Sequence, residues 1–86
     1  MPYLPEDRRL RLRTGAKLGK PGDLEYLITV QLVEYLRGQG LSHQTIAEIR
    51  GVLSGALSEF NRRVAFPYED KKIRENGDAY PGWALS

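Results

Sequence analysis

Residues 46–64 read IAEIRGVLSGALSEFNRRV, and this segment carries the clearest structural pattern in the chain. Its apolar side chains recur every three or four residues, and they all fall within about 60° of Leu53 on a helix of about 3.6 residues per turn. Such a stripe predicts an amphipathic helix with one face in a core. The members of the stripe are Ile46, Ile49, Leu53, Ala56, Leu57, Phe60 and Val64.

The opposite side of the same helix is a strip of small residues. They stand at positions i, i+3, i+4 and i+7, and they are Gly51, Ser54, Gly55 and Ser58. A glycine inside a helix costs about 1 kcal/mol relative to alanine, so two of them need a reason. The pattern predicts the close approach of another backbone, and we expect these four residues to lie in an oligomer interface.

Capping and breaking residues set the expected limits of this helix. Ser42 is the expected N-cap. Pro67 removes one helical hydrogen bond and restricts the residue before it, so the helix either ends near Val64 or kinks and resumes. Helix-forming residues follow from Tyr68 to Glu75, with Asn76-Gly77 as the expected C-cap.

A first helix is predicted from Gly22-Asp23 to about Arg37, with Asp23 as N-cap and glycines at its end. It is apolar on two nearly opposite sides, which a single partner cannot cover. One side holds Leu24, Ile28, Leu32 and Tyr35, and the other holds Tyr26, Val30 and Val33. We expect Tyr26, Val30 and Val33 to be a second part of the oligomer interface.

The first twenty residues form a basic segment, with six Lys and Arg side chains against two acidic ones. Pro2, Pro5 and Pro21 interrupt it, and the alternation from Arg9 to Arg13 fits the period of an edge strand. Residues 21–60 carry a net charge of −3, so the basic charge is concentrated in this arm. The pattern predicts an extended or irregular arm.

These features together predict an all-α protein: a helical hairpin with a kinked second helix and an extended basic N-terminal arm. The expected organisation is an arm over residues 1–21, a helical domain over 22–78 and an irregular tail over 79–86. A chain of 86 residues buries little surface alone, so we expect a symmetric homo-oligomer, a dimer first and a higher cyclic or dihedral form second.

Several classes of function are disfavoured by composition. The chain has no cysteine and one histidine, His43, next to Ser42 at a helix start, which favours a cap over a catalytic pair. We therefore expect no enzyme activity, no metal and no cofactor. No apolar run approaches the roughly 20 residues that span a bilayer, and no signal peptide is evident. The expectation is a cytoplasmic protein without a membrane partner.

Basic and aromatic side chains supply the candidate ligand site. Guanidinium and ammonium groups bind phosphates, and tyrosine rings stack on bases. The alternative is that the cations pair within helices, as Glu59 and Arg63 would at i, i+4, or that the arm packs on a neighbouring subunit. The phosphate or ligand candidates are Arg8, Arg9, Arg11, Arg13, Arg62, Arg63, Tyr68, Lys71, Lys72 and Tyr80.

Three segments carry a resemblance to a known family: Met1-Pro2-Tyr3, the run PGDLEYLIT at 21–29 and the run EFNRRVAFPYEDKKIRENGDAY at 59–80. The chain resembles a family of short uncharacterised proteins of tailed bacteriophages and of some bacterial and archaeal genomes. It departs from the pattern after Tyr80 and in the glycine and lysine content of the arm. The resemblance implies a phage or mobile-element accessory protein and transfers no catalytic residue.

Three functions of different class follow as expectations. The first is a non-enzymatic accessory protein that sequesters a nucleotide-type signal or docks a host protein, in anti-defence or host takeover, within the host cytoplasm if it is phage-encoded. The second is a nucleic-acid-binding regulator that uses the arginine-rich arm. The third is a small structural protein of a virion.

Overall fold

A computed structural model of the chain describes residues 4–85, and all regular structure in this range is helical. The predicted all-α class is therefore confirmed for the described residues. In chain order the elements are α1 (Glu6–Arg13), α2 (Pro21–Gln39), α3 (His43–Phe60), a π-helical turn (Asn61–Ala65), α4 (Phe66–Asn76) and a 3-10 helix (Gly82–Leu85).

The chain divides into two units, Met1–Ile49 and Arg50–Ser86, so the boundary falls inside α3. The expected boundaries after residues 21 and 78 stay predictions. Residues 1–3 and 86 belong to the expected arm and tail and lie outside the described residues, as does the Met-Pro-Tyr segment of the family resemblance.

Helix α1 corrects the prediction of an extended arm, because residues 6–13 are helical. The acidic side chains Glu6 and Asp7 lie in its first turn and Arg11 and Arg13 in its last, an order that the helix dipole favours. Arg11 Nη2 also donates to Asp7 Oδ2 at 2.9 Å, one helical turn away. The arginine and leucine alternation covers only five residues, which is too few to favour a strand over these helix-stabilising interactions.

The buried carboxylate of Asp23 joins α1 to the start of α2, and its residue is only 1% exposed. Arg8 donates to it twice, from Nε to Oδ1 at 3.2 Å and from Nη2 to Oδ2. The backbone N–H groups of Gly19 and Lys20 donate to Oδ2 at 2.9 and 3.2 Å. Lys20 is the N-cap of α2, so the prediction that Asp23 is the N-cap was wrong by three positions.

The four donors hold the pKa of Asp23 at about 2, well below the ordinary 3.8, with the Arg8 hydrogen bond as the largest cause and the Gly19 N–H second. The same contact raises the pKa of the Arg8 guanidinium. Helix α1 is thereby tied to α2 by an ion pair whose carboxylate is shielded from water. Leu12, on the same helix, is 2% exposed and is the buried hydrophobic residue of the described chain.

The connection from α2 to α3 spans only residues 40–42. Gly40 adopts φ 85°, a left-handed conformation that favours glycine, and its N–H donates to the Leu36 carbonyl at 2.8 Å. Ser42 Oγ accepts the N–H of Thr45 at 3.1 Å. The predicted N-cap role of Ser42 is therefore confirmed.

One side-chain contact links α2 to the first turns of α3. Tyr35 Oη donates to Glu48 Oε1 at 2.9 Å, and the pKa of Tyr35 is raised chiefly by this hydrogen bond, since ionisation would abolish it beside a carboxylate. This hydrogen bond joins α2 at Tyr35 to α3 at Glu48.

A π-helical turn carries the helix past Pro67. Phe66 N–H donates to the carbonyl of Asn61, five residues back, and the backbone on both sides of the turn stays right-handed helical. Proline has no N–H, and its ring clashes with the carbonyl four residues before it in an α-helix, so a wider turn accommodates it. Of the two predicted outcomes at Pro67, the helix resumes, and it continues to Asn76.

The apolar stripe predicted as core is exposed in the second unit. Leu53, Leu57, Phe60 and Val64 expose 40%, 62%, 59% and 51% of their surface. Among the described residues of this unit, 50–85, none is buried. A single helix has no second layer to cover its own apolar stripe, so this unit holds no core of its own.

We predict that Asp23→Asn releases α1 from α2. The amide cannot take all four hydrogen bonds, and it leaves the Arg8 guanidinium without its charge partner. Hydrogen exchange should show loss of protection in α1 of the order of tenfold, with α3 unchanged. The matched control is Asp7→Asn, which removes only the exposed pair with Arg11 and should leave protection nearly unaltered. Equal effects of the two variants would contradict the role of Asp23.

We also predict an acid-induced release of α1. Because the folded pKa of Asp23 is about 2 against an ordinary 3.8, its carboxylate stabilises the folded state above the ordinary pKa. That contribution declines as the pH falls below 3.8 and is lost once it passes the folded value. Carboxyl-carbon NMR should show Asp23 titrating well below its ordinary pKa, together with the α1 amides. Titration of Asp23 at its ordinary value would refute the prediction.

Candidate functional site

Most of the predicted phosphate-binding cations already have an acidic partner. The predicted pairing of Arg63 with Glu59 is confirmed, at 3.8 Å, and Arg62 reaches the same Glu59 oxygen at 2.9 Å. Lys71 and Lys72 both approach Glu75, at 3.9 and 3.3 Å. Arg8 and Arg11 are held by Asp23 and Asp7. These six side chains are therefore partly neutralised.

Arg9 and Arg13 differ from the other candidates. Neither has an ion pair or a side-chain hydrogen bond with any residue that the structure describes, whereas their neighbours Arg8 and Arg11 do. They stand four residues apart on α1, hence on one face of the helix. Two unpaired guanidinium groups on one face form a local positive charge.

A groove between α1 and α2 brings these two arginines to an aromatic ring. One cavity of about 230 Å³ is lined by Glu6, Arg9, Leu10, Arg13 and Tyr26. A second, of about 220 Å³, shares Arg13 and Tyr26 and continues along α2. We call the two cavities together the α1–α2 groove. The second cavity is also lined by Thr29, Val30, Val33, Glu34 and Arg37.

The α1–α2 groove combines positive charge with an apolar wall. Arg37 is paired with Glu34 at 3.3 Å, so the unpaired cations are Arg9 and Arg13, with Glu6 as the acidic residue at the α1 end. Planar guanidinium groups bind phosphate or carboxylate oxygens in pairs, and a half-buried tyrosine offers a ring face for stacking. The groove is therefore suited to an anion attached to a planar ring.

The C-terminal cleft is a separate cavity of about 420 Å³ in the second unit. Gly77, at φ 87°, ends α4 as predicted, and its N–H donates to the Ile73 carbonyl at 2.8 Å. Asp78 Oδ1 then accepts the N–H of Tyr80 at 2.8 Å, which turns the chain back. The cleft is lined by Tyr68, Glu69, Lys72, Ile73, Asn76, Gly77, Asp78, Ala79 and Tyr80.

The cleft brings together three of the predicted ligand residues, Tyr68, Lys72 and Tyr80. Lys72 Nζ lies 5.6 Å from the centre of the Tyr68 ring, a cation–π distance, and it also pairs with Glu75. Both tyrosines are exposed, at 61% and 67%. Because the Lys72 ammonium group pairs with Glu75 and lies over the Tyr68 ring, the cleft has less unpaired positive charge than the α1–α2 groove.

The predicted interface residues lie on two different surfaces. Tyr26, Val30 and Val33 line the α1–α2 groove beside Arg13 of the same chain. The small-residue strip of α3 is exposed, and a Cβ atom built on Gly51 or Gly55 would meet no described atom within 4 Å other than its immediate chain neighbours and the backbone of its own helix. No described residue supplies the close approach predicted for this strip, and it stays a prediction.

Sequence reasoning missed the neighbourhood of Arg13 and Tyr26, which depends on α1 folding back along α2. A signal for the helix was present in the Asp7 and Arg11 pair at i, i+4. No local pattern indicated that Arg8 would meet Asp23, fifteen residues away.

The fold, the α1–α2 groove and the C-terminal cleft define a small all-α protein whose groove is lined by arginine and tyrosine. The chain belongs to the family described as a domain of unknown function, DUF6899, whose model matches residues 1–79. None of the curated proteins and none of the solved structures matches the chain. Within the described part of the chain, no helix is both long and apolar enough to cross a membrane.

Proposed function

We propose that this chain is a non-enzymatic accessory protein of a phage or mobile element, and that it binds a nucleotide-type ligand in the α1–α2 groove. The observation that carries the proposal is that Arg9 and Arg13, both without acidic partners in the described chain, line one cavity together with Tyr26. In this arrangement the guanidinium groups take the phosphates and the tyrosine takes the base.

The energetics fit a signal-sequestering role. Stacking of a base on an aromatic side chain contributes about 1–3 kcal/mol, and charge-assisted hydrogen bonds from arginine add to it. Part of this is offset by the lost freedom of the ligand, so an open groove gives affinities of the order of micromolar rather than nanomolar. A sequestering protein with such affinity acts by stoichiometric abundance in the host cytoplasm.

The mechanism is binding without bond making. Helix α1 places Arg9 and Arg13 only while Asp23 holds Arg8, so the buried ion pair preorganises the phosphate contacts. Val30 and Val33 form the apolar wall against which a ring would lie. No cofactor is part of this proposal.

Self-association of helical hairpins is the second part of the proposal. Its support is the second unit, in which Leu57, Phe60 and Val64 are more than half exposed and no described residue is buried. A soluble chain rarely leaves such a contiguous stripe in water. A symmetric homo-oligomer covers it with one interface used twice.

Docking of a host protein and binding of nucleic acid are the alternatives. The second is favoured by the two unpaired arginines on one helix, since phosphate contacts dominate nucleic-acid affinity. A duplex bound through few contacts would lose affinity steeply with salt, whereas a nucleotide held partly by stacking would lose less. Titrations at two salt concentrations with ATP and with a duplex therefore separate these proposals.

We predict that Arg9→Gln combined with Arg13→Gln weakens ATP binding by about tenfold or more, because both phosphate contacts are lost. The matched control is Arg62→Gln with Arg63→Gln, which removes the same charge from residues paired with Glu59 and should change affinity less than about threefold. Isothermal titration calorimetry measures both. Equal losses in the two variants would show that only net charge matters.

A separate prediction concerns the stacking of a base on the ring of Tyr26. Tyr26→Leu keeps an apolar side chain but removes the stacking face, so it should weaken ATP binding and leave binding of inorganic triphosphate unchanged. Tyr80→Leu, in the separate C-terminal cleft, is the control and should affect neither. If the intact chain binds none of ATP, GTP and a cyclic dinucleotide saturably, the proposed function is overturned.

A further inference from the structure

A seam of exposed apolar side chains runs along the second unit from α3 through the π turn into α4. Its members are Leu53, Leu57, Phe60, Val64 and Tyr68, which are between 40% and 62% exposed. Successive members are four, three, four and four residues apart, a spacing that places their side chains along one side of a helix. The seam extends over about four turns, or about 22 Å.

The π turn keeps Tyr68 on this side. In a regular α-helix Tyr68 would stand about 60° away from Leu53, because each residue advances by about 100°. Residues 61–65 are wound more loosely, with hydrogen bonds to the fifth residue back, so each advances by less. The looser winding rotates Tyr68 back toward Val64 and Phe60.

Two charged residues without ion pairs flank the seam at its ends. Arg50 precedes Leu53 by three positions, and Glu69 follows Tyr68 directly. Neither has an ion pair or side-chain hydrogen bond with a described residue, although Glu59 and Glu75 nearby each pair twice. With the rotation of the π turn, both lie on the same flank of the seam.

We propose that a second copy of this chain covers the seam, with the two α3–α4 segments antiparallel and Phe60 beside the two-fold axis. The midpoint between Arg50 and Glu69 falls next to Phe60. Antiparallel pairing therefore sets Arg50 of each copy beside Glu69 of the other, and it does so twice. In a parallel pair the same flank of the two helices lies on opposite sides of the interface, so Arg50 and Glu69 would gain no partner of opposite charge from each other.

This inference rests on the self-association proposed above and names its surface. It differs from the interface expected from sequence, since Gly51, Ser54, Gly55 and Ser58 lie on the other side of α3. The seam offers large side chains that lose exposed surface on pairing, whereas the small-residue strip offers little apolar area. Helix packing on the seam is therefore the stronger source of association.

Charge exchange tests the pairing in the full chain. Arg50→Glu and Glu69→Arg should each weaken the dimer by about tenfold, because each places like charges at both ends of the seam. The double variant restores opposite charges and should return the dimer affinity to within about threefold of the original. Asp70→Arg is the control for Glu69→Arg: it has the same charge change, points away from the flank and should leave the dimer intact. Sedimentation equilibrium measures all four.

Spin labels test the direction of the helices, since the chain has no cysteine of its own. With labels introduced by Lys71→Cys, antiparallel pairing about residue 60 separates the two labels by about 35 Å along the axis. With labels introduced by Ala56→Cys, the same pairing gives about 10 Å. Parallel helices would give equal separations for both variants and would overturn the antiparallel arrangement.

The failures of the two proposals are distinguishable. A chain that stays monomeric at all concentrations overturns self-association and the seam together. A stable oligomer whose double charge variant stays weak overturns the seam alone. Loss of the dimer in Gly55→Leu does the same, because a Cβ atom at position 55 would meet no described atom beyond its chain neighbours and its own helix backbone within 4 Å. Retention of the dimer in Gly55→Leu with rescue by the double charge variant supports the seam.

Discussion

The buried carboxylate of Asp23 is the constraint on which the first unit depends. A carboxylate that is 1% exposed is costly unless all its acceptor sites are used, and here Arg8 and two backbone N–H groups use them. The ion pair fixes where α1 lies against α2. The positions of Arg9, Arg13 and Tyr26 in the α1–α2 groove follow from it, and so does the preorganisation on which phosphate binding would rely. The same arrangement explains why the neighbouring cations Arg8 and Arg9 differ in availability although they are adjacent in the chain.

Local signals were sufficient for the long helices. Three patterns reflect short-range helix preferences: the stripe around Leu53, the Ser42 cap and the glycine at position 77. The fold retains these preferences. The failures have physical causes of longer range. Residues 9–13 alternate in a way that suits a strand, but the flanking charges and the contact with Asp23 favour a helix. Pro67 is an intermediate case. A proline predicts that a regular α-helix is interrupted at that point, but it does not predict that the interruption is a π turn.

The candidate sites show the same division. Tyr68 and Tyr80 were chosen as ligand residues because charge surrounds them in sequence, and the turn at Gly77 does bring both into one cleft. Arg9 and Arg13 could be named from the sequence, but only the structure distinguishes them from the six cations that have partners. Pairing is a property of distance, and distance between α1 and α2 is not readable from either helix alone. Tyr26 was expected at an oligomer interface, which stays a prediction, and the structure places it beside Arg13 in the α1–α2 groove.

The π turn also constrains how this chain can vary in length. A π turn holds one residue more than the α-helix around it, so deletion of a single residue between 61 and 65 would leave a regular helix. The extra residue adds little net rotation about the axis, so α4 and the C-terminal cleft would keep nearly the same direction relative to Leu53 and Phe60. The same deletion in the regular part of α3 would turn everything beyond it by about 100°. A change of one residue in length is therefore tolerated better within residues 61–65 than elsewhere in α3.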